Sequence, residues 1–390
     1  MSTTPCEPAT WPGRVNTHVP APPTPATPSE ALFASAIDRE RYWLPDPPGS
    51  AFPGLQAFWD RMGKGITEYR CAKSIKGPEQ PCIGPLDLPA DGEVAAPALR
   101  MAHAGRESRS PNWSGASVAA TRHNTLTQVV ACWNEPAVQT SGNASLDREF
   151  RSSIWTGFNG HAAYRDASLP QIGTMQRIVH DGTAWRTGHW VWFEWWANVR
   201  GRELPELLLP VYLDLDVHEG DAVLCRVDLI ASDPVHFPAE DFPYVARMCI
   251  CIERLAADGS VASKVLVMPF VVYPPELGPK QRRVEVAGST ANWIAELPMN
   301  VCPREPPFLL PRAGAATASD NRVTFTHCVA ASAAEPGEPL VAEHTLEVSR
   351  RFHLYNTQPE RRPTLSPIAS TGLPQVDKTT FSIQVDGNDA

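Results

Sequence analysis

The chain predicts an all-β fold of antiparallel sheets, preceded by a proline-rich and partly helical N-terminal extension. Three observations carry that prediction. From about residue 107 onward, short stretches alternate apolar and polar residues with a period of two, as a strand with one buried face requires. Gly, Pro, Asp and Asn separate them, and Asp258-Gly259 in "RLAADGSVAS" is a hairpin signal. Long helical periodicity is absent. Many short strands joined by turns bury their apolar faces as a sandwich or a barrel.

The elements follow in order. Residues 1–53, with "VPAPPTPATPSE", read as a flexible proline-rich arm. Within it "SEALFASAIDRERY" predicts a short helix capped by Ser29. Residues 54–106 read as a helical region placed like a pro-segment, where "LQAFWDRMGKGITEYRCAKSIKG" predicts an amphipathic helix weakened by Gly63 and Gly65. Between 61 and 76, Arg61, Lys64, Arg70, Lys73 and Lys76 stand against only Glu68, a local excess of four positive charges in a chain of net charge −9. Such a run is a solvated face or a segment that docks on an acidic surface and restrains it. The sandwich is expected over 107–356, from "SSIWTGF", "HWVWFEWW", "AVLCRVDLIA", "ARMCICIERL", "SKVLVMPFVV", "ANWIAEL", "NRVTFTHCVA" and "HTLEVSRRF". A tail, 357–390, holds one last strand candidate, "TTFSIQV".

Composition excludes several function classes. The 390 residues suffice for one large domain with appendages or for two domains. The acidic balance argues against nucleic acid or an anionic membrane as the main partner. No apolar run spans a bilayer, and the N-terminus lacks a secretory pattern, so the sequence as written reads as cytoplasmic. The nine cysteines form no CxxC pair and no zinc spacing. Cys249 and Cys251 share one strand face as buried thiols, and the odd count without a signal suggests mostly free thiols in a reducing compartment. "LDLDVHEGD", with Asp214, Asp216, Glu219 and Asp221, lacks EF-hand spacing and reads as a strand end followed by a Gly-Asp turn. No GxSxG, HExxH, Walker A or dinucleotide motif occurs, so neither a metal nor any other cofactor is expected. The sequons at Asn112 and Asn143 are read as chance.

The most informative stretch is "GHWVWFEWWANV" at 188–199. As a strand it sends Val191, Phe193 and Trp195 to one face and Trp190, Trp192, Glu194 and Trp196 to the other. The first set suits a sandwich core. The second is a row of flat aromatic surfaces around one carboxylate: either a covered strand whose Glu194 pairs with an arginine, or a substrate cleft with large apolar contact area and a polar anchor.

From about 110 to 355 the chain resembles the eqolisins, the glutamic peptidases. "PNWSGA" at 111–116 looks like the family's Asn-Trp-Gly/Ser-Gly opening. "SSIWTGFNG" at 152–160 is similar to Trp-Val-Gly-Ile-Asp-Gly, "LPQIGT" at 169–174 to Leu-Gln-Thr-Gly, and "WFEWW" at 192–196 to Trp-Tyr-Glu-Trp-Tyr. "HEGDAV" resembles the Gly-Asp turn that follows, and "ANWIAE" at 291–296 resembles Ala-Glu-Trp-Ile-Val-Glu. Each motif is weak alone; six in order on an all-β background are specific.

The resemblance implies a concanavalin-like sandwich of two antiparallel sheets with a catalytic glutamine and glutamate on the concave face, here Gln171 and Glu296. It implies a polypeptide substrate lying against Trp113, Trp155, Trp192, Glu194 and Trp196, with no metal. Glutamate would take a proton from water and return it to the leaving nitrogen, while glutamine would donate to the oxyanion. The alternative is a non-catalytic sandwich that binds peptide or carbohydrate in the same aromatic groove. Trp190, Asn159, Asn292 and the neutral "LPMN" at 297–300 stand where the family carries acids. Fewer cleft carboxylates predict an activity optimum nearer neutrality than in acid-secreted relatives.

Overall fold

The computed structural model describes residues 33–78, 107–140, 144–160, 166–199, 202–203, 210–232, 244–274, 286–298, 308–314, 321–355 and 367–387, with two short strands at Thr10–Trp11 and Arg14–Val15. The rest of the expected arm, including Ser29, lies outside them, as does Asn143. The fold is an all-β sandwich of two large, mainly antiparallel sheets. Alternation in the sequence decides which face each side chain takes.

The front sheet runs, edge to edge, through Ser74–Ile75, Val211–Leu213, Trp185–Val199, Asp166–His180, Phe150–Phe158, Thr290–Glu296, Trp113–Ala119 and Arg350–Leu354, with Glu107–Ser110 parallel to the last. The back sheet runs through Glu68–Arg70, Val261–Val272, Tyr244–Leu255, Ala222–Ala231, Thr125–Asn134 and Arg322–Ala333, whose outer edge takes Leu340–His344 and Phe381–Val385. Both edges are stitched. Ala369–Thr371 joins Leu354 to Phe381–Val385 on one side. On the other, a few residues of one chain segment supply Glu68–Arg70 to the back sheet and Ser74–Ile75 to the front. Four ladder strands therefore come from outside residues 107–356.

Alternation fills the interior. Phe193, Trp195, Ile172, Ile154 and Trp293 of the front sheet meet Val129, Trp133, Val223, Ile250 and Phe270 of the back sheet in one core. The Asp258-Gly259 turn forms the expected hairpin, with Gly259 at φ 82°. "HTLEVSRRF" is no single strand: Leu346–Val348 form a 3-10 turn and the strand starts at Arg350.

The back sheet also has an apolar outer face, and helices cover it. Ala36–Arg41 (α1) is capped by Ser35, whose hydroxyl accepts from Asp38 N at 3.1 Å. Pro53–Gly63 (α2) opens on proline, which suits the first helical position, and gives way at Lys64 to extended chain. The Glu343 carboxylate accepts from Gly54 N and Leu55 N at 3.1 and 3.0 Å, compensating the positive helix end. Leu55, Phe58, Trp59 and Met62 pack on Val130, Leu224, Cys249, Cys251, Leu266 and Val329. The predicted helix thus ends at the glycines that weakened it, and its continuation becomes strand.

Among the described residues the basic run is bound to this outer face and to the stitched edge, where Gly77 lies against the Tyr212 ring. Arg61 pairs with Glu253 at 3.5 Å, Lys264 with the same carboxylate at 3.1 Å, Arg70 with Glu68, and Lys73 with Asp214 at 3.8 Å. It meets acidic partners: α2 buries its apolar side on the outer face and carries Arg61 to Glu253 there, while Lys73 meets Asp214 at the stitched edge.

Cys132, Cys225, Cys249, Cys251 and Cys328 are buried free thiols, and burial pushes Cys249 up to about 12. Cys71, by contrast, is disulfide-bonded. Among the described residues no helix is long and apolar enough to cross a membrane, and no group of three side chains could hold a metal ion.

Candidate active site

The face of the front sheet turned away from the back sheet is aromatic. Trp113, Trp155, Leu169, Met175, Trp192, Tyr212, Ile294 and Phe352 form one cluster on it, with Trp190 and Trp196 half-buried at its margin. Alternation in 188–199 therefore divides as the period of two requires: Val191, Phe193 and Trp195 enter the core, while Trp190, Trp192, Glu194 and Trp196 face outward onto this floor.

Register sets the floor in rows. In one row Glu194 is opposite Gln171, Gln171 opposite Gly157, and Gly157 opposite Asn292. In the next, Trp192, Gly173, Trp155 and Ile294 stand abreast; in the third, Trp190, Met175, Ser153, Glu296 and Trp113. Two glycines are required by close approach. A Cβ on Gly173 would sit 2.0 Å from Ile154 O, and one on Gly157 2.4 Å from Pro170 O and 2.9 Å from Gln171 Cβ. Bare backbone at these points lets Trp155 and Gln171 occupy the surface.

Gln171 lies in the middle of the long strand Asp166–His180, not in a loop. Its Nε2 donates to Glu194 Oε2 at 2.9 Å, and both side chains are buried, Gln171 at 4% and Glu194 at 7% exposure. A carboxylate removed from water needs such a donor. Gln171 Oε1 is buried with no hydrogen-bond partner.

Glu296 is placed elsewhere. Its Oε1 accepts from Asn112 Nδ2 at 2.9 Å and its Oε2 from Trp155 Nε1 at 2.7 Å. It stands two rows from Gln171, an offset of four residues or about 14 Å along the strands. The Trp155 row lies between. The structure thus brings Gln171 to Glu194 and not to Glu296. The reason is register: across Gly157 from Gln171 stands Asn292, whose Nδ2 is tied to Asn159 O at 2.6 Å. Asn159 sits at φ 61° and Gly160 at φ 83°, so the strand ends in a left-handed turn fixed by Ser289, whose N donates to Asn159 Oδ1 at 2.9 Å.

Trp113 packs edge-to-face on Trp155 at 5.2 Å and on Phe352 at 5.9 Å. Asn112, read as a chance sequon, positions Glu296. A further polar cluster lies behind the floor: Glu135 Oε1 contacts Gln176 Nε2 and His189 Nδ1, each at 2.7 Å, and Ser152 donates to Gln176 Oε1 at 2.8 Å. The alternation of His189 and Gln176 with the floor residues places them inward; no motif marks Glu135.

Residues 111–236 match the model of the Peptidase A4 family. They include Gln171 and Glu194 and stop short of Glu296. No curated protein matches the chain. Among solved structures the chain is similar to the crystal structure of aspergilloglutamic peptidase from Aspergillus niger, at 15% identity and a TM-score of 0.32, over 60% of this chain and 99% of that one. The stretch that carries the Gln171–Glu194 pair is thus similar, over 111–236, to the Peptidase A4 family, the eqolisins.

Proposed function

We propose that the chain hydrolyses peptide bonds on the aromatic floor by glutamic-type chemistry, with Glu194 rather than Glu296 as the general base beside Gln171. The observation that carries this reading is the buried 2.9 Å hydrogen bond from Gln171 to Glu194 among tryptophans. A low-dielectric floor strengthens every interaction with developing charge.

The chemistry balances on these groups. Glu194 takes one proton from a water molecule as its oxygen bonds to the substrate carbonyl carbon. The carbonyl π pair moves to oxygen. The tetrahedral adduct collapses with cleavage of the C–N bond, and Glu194 returns the proton to the leaving nitrogen. The products are a carboxylic acid and an amine, and Glu194 ends ionised as it began. Gln171 fixes the carboxylate and offers Oε1 to a water or substrate N–H. Glu296, held by Asn112 and Trp155, lines the far end of the groove with Trp113, while Trp192 and Trp196 flank the pair.

A second reading, a groove that binds peptide or carbohydrate without cutting it, is favoured by one observation: the amide of Asn292, not a carboxylate, stands across Gly157 from Gln171. Denatured casein incubated between about pH 2 and 7 separates the two, since that range brackets carboxylate titration. New peptide N-termini, lost in Glu194→Gln, support hydrolysis. Saturable binding with no new termini at any pH supports the second reading.

A further inference from the structure

The side chains of the floor leave three polar atoms buried without partners: the indole N–H of Trp113, the indole N–H of Trp192 and the amide oxygen of Gln171. The other buried tryptophans with known indole partners differ. Trp133 donates to Thr174 at 3.3 Å, Trp155 to Glu296 at 2.7 Å, Trp195 to Ser168 at 2.5 Å and Trp293 to Val130 O at 2.8 Å. The two orphaned indoles both lie on the groove floor. An unpaired buried donor destabilises a fold and persists where an incoming group satisfies it.

Two donors and one acceptor on an apolar floor match an extended peptide, whose backbone alternates C=O and N–H. Gln171 gives one Nε2 hydrogen to Glu194, and the indoles offer donors besides its second amide hydrogen. Trp192 is two residues from Glu194 on the same strand face and one row from Gln171, about 7 Å along the strand, within the reach of an indole. Trp113 lies beyond Trp155, farther across the sheet.

We propose that the indole N–H of Trp192 donates to the carbonyl oxygen of the bond being hydrolysed, that the indole N–H of Trp113 holds a second main-chain carbonyl of the same peptide, and that Gln171 Oε1 accepts a peptide N–H. This rests on the groove reading above and adds further donors to it. Trp192 is then a catalytic residue, because its hydrogen bond strengthens as negative charge gathers on the carbonyl oxygen. Trp113 is a substrate-positioning residue whose bond is equal in ground and transition states.

Phenylalanine removes the N–H and keeps an aromatic ring, so Trp192→Phe and Trp113→Phe test the donors. On one chromogenic peptide, Trp192→Phe is expected to lower kcat roughly 100-fold with KM little changed, the size of effect a single oxyanion donor gives. Trp113→Phe is expected to raise KM with kcat little changed. Neither should lower the unfolding midpoint by loss of a hydrogen bond, since neither N–H makes one within the protein. Wild-type kcat/KM in Trp192→Phe overturns the proposal. The indole signals of 15N-labelled wild type, titrated with an amidated hexapeptide carrying one reduced, uncleavable bond and separately with cellohexaose, give a readout independent of turnover. Downfield shifts of the Trp113 indole proton with the peptide support it. Shifts at Trp190 and Trp196 alone leave the groove reading and overturn this one. Shifts at Trp113 and Trp192 with the sugar only replace peptide by glycan and overturn it. No shift at any floor tryptophan, with no hydrolysis, overturns both.

Discussion

Gln171 and Glu194 stand directly opposite each other on neighbouring strands, and the amide nitrogen of one donates to the carboxylate of the other at 2.9 Å. Both are buried, in an environment that magnifies any added charge. Gln171→Glu puts two carboxylates in contact. Repulsion raises one pKa, and the state with one proton shared between them exists only below that raised value. Activity that needs one protonated and one ionised carboxyl is lost as pH rises through it. The pH optimum of hydrolysis is therefore expected to move to lower pH than in wild type; an unmoved profile would show that the two positions are not coupled.

Across Gly157, Asn292→Glu adds a carboxylate to the same row. With its amide anchor to Asn159 O lost, the side chain is freed toward Gln171. Hydrolysis by this variant is expected to have a more acidic optimum than that of wild type, the direction in which extra cleft carboxylates push each other's pKa values. A maximum for the wild-type enzyme below about pH 3 would contradict the link between few cleft acids and a near-neutral optimum.

The helical segment is predicted to be structural. Phe58 is fully buried between α2 and the back sheet, and Phe58→Ala should cost about 3–5 kcal/mol in denaturant unfolding. A chain beginning at Glu107 exposes the apolar outer face and loses two ladder strands, so it should be less stable than the full chain. Salt-dependent activation of such a chain, with unchanged stability, would restore the restraining role that the docking of Arg61 and Lys73 speaks against.

Acid should weaken the fold. Burial lowers the pKa of His327, His344 and His353 below the ordinary imidazole value. Each is then neutral in the folded state at a pH where the unfolded chain already binds the proton. Their contribution is fully present above the unfolded value near 6.5 and is lost as pH falls from there through the folded values. Asp377, held below its usual range by Thr379 and Thr380 despite an opposing burial effect, adds loss at lower pH still. Denaturation midpoints should fall from about pH 6.5 downward. Replacing His344 with Gln should flatten that slope, and an unchanged slope would place the acid sensitivity elsewhere.

The period-two strands were legible wherever alternation was strong. "AVLCRVDLIA" is the strand Ala222–Ala231, and "TTFSIQV" supplies Phe381–Val385. The division of 190–196 into core and floor followed from alternation alone. Asp166–His180 was hidden because Pro170 and Gly173 read as loop residues; in the sheet, Gly173 is what lets Trp155 pack. The outer face of the back sheet gave no warning that it is apolar twice over, since "MCICIE" looks the same whether one or both faces are buried. Gln171 and Glu194 were both visible as site residues, and their pairing was not. Register across three strands decides it, and a sequence motif does not report whether Asn292 or Glu296 stands opposite Gln171.

In the proposed mechanism Glu194, fixed by Gln171, is the base. The most direct measurement is kcat/KM of Glu194→Gln and Glu296→Gln on the same peptide, each variant first shown to unfold at the wild-type midpoint. Glutamine keeps the size of each side chain and cannot accept the proton. Hydrolysis should be almost abolished in Glu194→Gln and only reduced in Glu296→Gln, whose partners Asn112 and Trp155 lie at the groove's far end. Full activity in Glu194→Gln together with loss in Glu296→Gln would contradict the account and return the base to Glu296.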